Sequence, residues 1–222
     1  MTRESRQQSA RDATRRAILD AALALFIENG YDQVSMRSIA ARVEYSPAAL
    51  YGYFASKDEI FYALAEEGFR LLDPTPPTAT ASADPLDDVR HGAWRLYEFS
   101  REQPQYFALV FLDRRVPRIG QDFERFPFLR EMRQRFIANM QRCIAAGLLP
   151  ASTNAQTAVR LLLAPIFGIA ALRLSERIAG DAHAAALVRD AIDVTIAGLR
   201  VAAPHHAAPF ADAFPEAAVS SS

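Results

Sequence analysis

Residues 29–60, NGYDQVSMRSIAARVEYSPAALYGYFASKDEI, hold one helix stop and three helix starts in quick succession. Asn29-Gly30 ends a helix, with glycine just past the end. Ser35 is an N-cap. Behind it Met36, Ile39, Ala40 and Val43 stand at i, i+3, i+4 and i+7, one face of a short helix. Ser46-Pro47 is an N-cap followed by proline at the first helical position. Ser56 with Glu59 is a capping box for a longer helix running to about Leu72. Helices this short cannot bury a core alone, so they need a longer brace. The stretch 14–29 supplies one, with Ile18, Ala22, Leu25 and Phe26 at helical spacing. Leu50 and Phe54 lie one turn apart and face that brace. Two short helices joined by a tight turn and backed by a longer one are the layout of a helix-turn-helix.

No strand alternation occurs anywhere, so the expected class is all-α with about nine helices. After the loop 73–85, DPTPPTATASADP, helices are expected at 85–102, 104–112, 122–146, 154–178 and 182–202. Asp84-Pro85, Pro104, Gly147 to Pro150 and Gly180-Asp181 mark their ends. The expected domains are a DNA-binding unit over 10–56, a linking helix over 57–73 and a larger helical unit over 74–202. The Ala/Pro/His/Ser-rich tail 203–222 is expected to be disordered.

Composition narrows the class without naming a partner. Half of the 222 residues are hydrophobic and the net charge is −1, so bulk charge neither supports nor excludes nucleic acid. Cys143 is the only cysteine, which excludes an internal disulfide and fits a reducing compartment. Residues 1–10 are polar, carry no signal-peptide core and are expected to be mobile. The apolar run 161–172 is too short to span a bilayer and contains Pro165. A cytoplasmic location is expected. No nucleophile–base set, Gly-rich phosphate loop or zinc spacing is present, so neither an enzyme nor a metal or other cofactor is expected. Asp87 and His91 at i, i+4 lack a third ligand and read as a surface pair.

The segment 14–64 resembles the N-terminal domain of the TetR (tetracycline repressor) family of transcriptional regulators. The resemblance rests on F-x-x-x-G-Y, V-S-x-R-x-I-A, S-P-x-x-L-Y-x-Y-F and S-K-x-E-I, at matching spacing. It implies a homodimeric, ligand-responsive regulator, more often a repressor, released from operator DNA when a small molecule fills a C-terminal cavity. One departure stands out: Glu44 occupies the turn position where the family usually has glycine.

The resemblance implies a role for each residue of the motif. Ser35 caps the first short helix and can meet a phosphate. Arg37 is the candidate for a base contact, at guanine O6/N7. Ser46, Pro47, Ala48 and Ala49 let the recognition helix approach the groove floor and touch thymine methyls. Tyr51, Tyr53 and Lys57 are assigned to phosphates at the rim, with Arg15 and Arg16 as weaker additions. Lys57 is the only lysine, against 24 arginines.

Aromatic residues crowd the stretch 94–167. The ones assigned to a largely apolar effector cavity are Trp94, Tyr97, Phe107, Phe111, Phe136 and Phe167, with Met140. The helices 154–178 and 182–202 carry apolar strips assigned to the dimer interface. The competing reading is a helical small-molecule or protein-binding module with weak or lost DNA binding. Its support is Glu44 and the near-neutral N-terminal region.

Overall fold

The structure is a computed structural model that describes residues 2–73, 82–113, 116–117 and 127–201. Among these residues it contains nine α-helices and no strand: α1 (Arg3–Asn29), α2 (Met36–Arg42), α3 (Pro47–Tyr51), α4 (Lys57–Leu72), α5 (Pro85–Glu102), α6 (Pro104–Phe107), α7 (Pro127–Ala145), α8 (Ala155–Leu174) and α9 (Asp181–Val201). The all-α expectation holds. The tail 203–222 and residues 122–126 lie outside the described residues. The described residues fall into two compact units, one formed by residues within 1–68 and 105–117, the other by residues within 69–104 and 127–201.

In the first unit, α1 is longer than its apolar spacing predicts. It begins at Arg3, where Thr2 accepts a hydrogen bond from the Ser5 amide at 3.2 Å. The expectation of a mobile lead-in over 1–10 is thereby corrected: residues 3–10 belong to the helix. The stretch is rich in Arg, Gln, Glu and Ala, which favour helix without any packed face. Downstream, Ile18, Ala22, Phe26, Ile39, Leu50, Phe54, Ile60 and Phe61 are buried and form the core beneath the short helices.

Tyr31 ties this core together. Its ring centroid lies 5.1 Å from Phe26 of α1 and 5.6 Å from Phe61 of α4. Its hydroxyl donates to Asp58, and burial first, then this bond, holds the phenol protonated well above its usual range. Lys57 donates to the Tyr31 carbonyl at 2.9 Å and sits 4.0 Å over the same ring. A single residue thus fixes the start of α4 against the end of α1.

Arg16 makes a second tie. It donates to both Glu67 oxygens, at 2.6 and 2.7 Å, to Asp20, and to the Tyr106 hydroxyl at 3.4 Å. Gly68 is where α4 meets Tyr106: a Cβ there would lie 3.2 Å from the Tyr106 ring. The residues after α6 form a π-helical turn, Ala108–Leu112. Spacing alone predicts one regular helix over this whole stretch from Pro104.

The second unit is built from α5, α7, α8 and α9. Leu86, Val89, Leu96, Tyr97, Met140, Leu162, Ile166, Val188, Ile192 and Ile196 are buried in it. Arg173 donates to the Ser100 carbonyl at 2.6 Å and ties α8 to α5. Helix α8 is long and apolar enough, by length and composition, to cross a membrane, with mean hydropathy 1.7. Only 28% of that stretch is buried, and Leu161 and Leu172 are 47% and 41% exposed.

Tyr31→Phe keeps the ring and removes the bond to Asp58. The expected cost is about 1 kcal/mol at neutral pH, measured by denaturant unfolding. The sign with pH follows from the raised phenol. Folded Tyr31 stays protonated while the unfolded chain ionises, so this stability is present below pH ~10 and is lost above it. The Phe variant therefore loses less stability than the parent on alkalinisation.

Candidate nucleic-acid interface

Helix α2 starts at Ser35, whose hydroxyl accepts from the Ser38 amide at 3.1 Å while Ser38 accepts from the Ser35 amide at 2.9 Å. The reciprocal cap leaves Arg37 in the first turn, exposed and without an ion pair among the described residues. Met36, Ile39 and Ala40 point inward, as their spacing requires. The other arginine of α2, Arg42, is held by Glu28 at 2.7 Å, so it is already neutralised.

Helix α3 starts at Ser46, whose hydroxyl accepts from the Ala49 amide at 3.1 Å. Proline at the first helical position removes one donor the helix could not satisfy anyway. Ser46, Pro47, Ala48 and Ala49 are all exposed, whereas Leu50 is fully buried. Tyr51 is 56% exposed. The structure therefore presents a bare helical turn with a tyrosine beside it, anchored from behind.

Two assigned residues have partners inside the unit. Tyr53 is half-buried, with the Arg11 guanidinium 5.8 Å from its ring centre. Lys57 is the ammonium already engaged by Tyr31. Arg15 lies 4.9 Å over the Phe54 ring, and Arg16 is taken up by Asp20, Glu67 and Tyr106. Sequence reasoning misses Tyr45, which is 43% exposed just before the cap of α3, its hydroxyl 3.4 Å from that of Thr14. An aromatic residue directly preceding an N-cap is the available signal for Tyr45. Arg11 reads in sequence as part of a basic lead-in with Arg15 and Arg16, but its contact with Tyr53 does not, because that partner lies far along the chain.

The turn between α2 and α3 adopts a strained conformation. Glu44 has φ of +58°, in the left-handed region. Its amide donates to Ala41 and the Tyr45 amide donates to Ala40, at 3.3 and 2.9 Å. This is a Schellman motif with glutamate at its left-handed position. Helix α7 closes with the same pair of bonds around Gly147, at φ +71°, and α8 closes with them around Glu176, at φ +57°. The bonds are kept in all three, and only α7 uses the residue that adopts this backbone without a Cβ clash.

The residues assigned to an effector cavity do not fall in one unit. Phe107 and Phe111 belong to the first, with ring centres 5.3 Å apart. Trp94, Tyr97, Phe136, Met140 and Phe167 belong to the second. Tyr97 and Met140 are core residues, and the Tyr97 hydroxyl donates to the Asp181 carbonyl at 3.3 Å. Phe136 fills the space beside Gly92, where a Cβ would lie 2.8 Å from its ring. Trp94 is half-buried, with Arg189 4.7 Å over its ring, at an open cleft of about 380 Å³ that includes Asp87, His91 and Asp193. His91 Nδ1 lies 2.7 Å from the Asp87 carbonyl oxygen, so the pair is a local hydrogen bond. No group of three metal-ligating side chains occurs among the described residues.

Two short capped helices backed by a longer one form a helix-turn-helix, a layout used to dock on DNA. Residues 18–64 match the family of bacterial regulatory proteins, tetR family. Over 91 residues the chain is 33% identical to the transcriptional repressor KstR of Mycobacterium tuberculosis, which is 40% of this chain and 41% of that protein. The fatty acid degradation regulator FadR from Bacillus halodurans superposes with a TM-score of 0.68 at 16% identity, covering 84% of this chain and 96% of that one. SmeT, in a complex with triclosan, gives 0.65 at 24% identity, covering 89% and 98%. The similarity to the tetR family is carried by the N-terminal segment, residues 18–64. The chain spans about half or less of the length of three of the curated relatives it matches, at 41%, 52% and 29%.

Replacing Glu44 by glycine relieves a left-handed cost of about 1–2 kcal/mol and adds about 0.5–1 kcal/mol of unfolded-state entropy. The expected net gain is about 0.5–1 kcal/mol, seen as a rise in melting temperature of about 2 °C for a chain of this size. Glu176→Gly is expected to behave the same way.

Proposed function

We propose that this protein is a homodimeric, DNA-binding transcriptional regulator that acts as a repressor and leaves its operator when a small, largely apolar molecule binds the C-terminal unit. The observation that carries the reading is the exposed, capped turn of Ser46, Pro47, Ala48 and Ala49 with the exposed Arg37 one helix earlier. Small side chains allow close approach to the major groove, and Arg37 supplies a donor fork suited to guanine. Ser35, Tyr51, Tyr53 and Lys57 are assigned to phosphates. For Lys57 the Tyr31 carbonyl takes one of three ammonium donors and leaves two. KstR is named a repressor, which supports that direction of control. The SmeT complex with triclosan supports an effector of apolar character. Acting on chromosomal DNA implies a cytoplasmic location.

The reading assigns dimerisation to α8 and α9. Leu161, Leu172 and Val194 are 47%, 41% and 71% exposed. A Cβ at Gly168 or Gly198 would meet nothing within 4 Å, which leaves room for a partner helix. Exposed apolar side chains on both helices fit an isologous interface. Two recognition helices at a fixed separation then read two half-sites, and effector binding weakens DNA binding by changing that separation. DNA must weaken effector binding by the same factor.

The decisive experiment selects duplexes from a random pool with the intact chain and measures affinity against salt. Sequence-selective, salt-sensitive binding, reduced by an apolar ligand such as triclosan, is expected. Absence of selective binding would falsify the regulator reading and leave a helical binding module. Arg37→Ala is expected to lose about 1–3 kcal/mol of discrimination at one base position in each half-site, read from competition among single-base variants. Lys57→Ala is expected to weaken all duplexes alike and lower the salt slope by about one unit per phosphate. Val194→Arg is expected to yield monomers in sedimentation and to abolish tight operator binding.

A further inference from the structure

The first turns of α1 have no internal role that the fold accounts for. Residues 5–13 are exposed throughout, and the stretch 3–13 holds no apolar residue larger than Ala10 and Ala13. The helix is nevertheless continuous from Arg3 to Asn29. A polar helix of this length is marginal by itself. This one propagates from the packed part of α1 and is steadied by the Thr2 cap and by Gln8, which donates to Asp12 at 2.9 Å. It therefore stands as a preformed projection, exposed over 5–10, with Arg11 at its root over Tyr53.

Two observations say what it meets. The first is charge. The segment 2–16 carries five arginines against Glu4 and Asp12, in a chain whose total is −1. Of these arginines Arg16 is engaged by Glu67 and Asp20, while Arg6 and Arg11 are exposed with no acidic partner among the described residues. The second is continuity. Thr14 meets Tyr45 ahead of α3, and Arg11 and Arg15 lie over Tyr53 and Phe54 behind it. The root of the projection is thus flush with the surface that presents the recognition helix.

We propose that the N-terminal projection of α1 is a phosphate-binding arm that extends the protein's footprint onto DNA flanking each half-site. This rests on the regulator reading above. From Arg11 to Arg3 a helix advances about 12 Å, on the order of three base pairs of duplex. The arm meets the DNA backbone, because its exposed arginines stand beside the groove-facing turn and not on it. Such contacts add affinity without altering the preferred sequence.

The test uses the full chain, a variant lacking residues 2–10, and the double variant Arg6→Ala/Arg11→Ala, with thermal unfolding to show that both remain folded. Each is titrated with the duplex selected by the intact chain, in a minimal form and in a form extended by about 4 base pairs of arbitrary sequence at each end. The intact chain is expected to bind the extended duplex several-fold tighter. Both variants are expected to bind the two duplexes equally, with a salt slope lower by about 0.9 for each phosphate no longer neutralised. Arg11→Lys is expected to keep most of the slope. Equal affinity of the intact chain for both duplexes, or unchanged slopes in the variants, overturns the arm while leaving the regulator intact. If the intact chain selects no duplex at all, both readings fall together.

Discussion

Everything in the first unit depends on where Tyr31 sits. A helix-turn-helix built from five- and seven-residue helices has little cohesion of its own. It needs a rigid frame, and the frame here is α1 tied to α4. Tyr31 bolts the two by four kinds of contact: ring packing on Phe26 and Phe61, a hydroxyl donated to Asp58, a carbonyl accepting from Lys57, and the Lys57 charge over the ring. The side chain stays buried because its one polar atom has an acceptor. Within that frame, Leu50 and Phe54 are enough to hold α3, since they are buried against residues the frame already fixes.

Polar contacts in this protein serve as ties between helices more than as surface decoration. Arg16 joins α1 to α4 and to Tyr106, and Arg173 joins α8 to the end of α5. Arg142 does the same for α7, donating to Asp88 at 2.6 Å and to the Ser82 carbonyl at 2.7 Å. Arginine suits these places because its planar fork reaches two acceptors at once. A chain with 24 arginines and one lysine can use many of its cations in this way. The exposed ones without an acidic partner then stand out, and Arg37 and Arg6 are among them.

Much of this is legible in the sequence. Capping signals are local, so Ser35, Ser46-Pro47, Ser56 and Asp84-Pro85 mark helix starts that the structure reproduces. Core positions at helical spacing are equally plain, because burial follows period. What spacing cannot supply are features set by distant partners or by weak competition. The first turns of α1 have no apolar period, so their helicity comes only from composition and a cap. Helix α8 ends at Leu174 and not near 178, because Glu176 turns left-handed and Ser175 donates back to Ala171. The engagement of Lys57 and Arg16 depends on residues tens of positions away. For the aromatic cluster between 94 and 167, sequence gives density without depth. Tyr97 and Met140 are core, and Phe107 and Phe111 pack in a different unit from Trp94.

The solitary lysine has a chemical corollary. Lys57 is the one side-chain amine the chain possesses. Its nitrogen is half-shielded at the mouth of α4, hydrogen-bonded to a carbonyl and facing an aromatic ring. Acylation, or any reagent that attacks side-chain amines, therefore addresses a single atom. That atom lies at the joint between α1 and α4, so occupancy of one amine is a direct readout of whether the joint is closed.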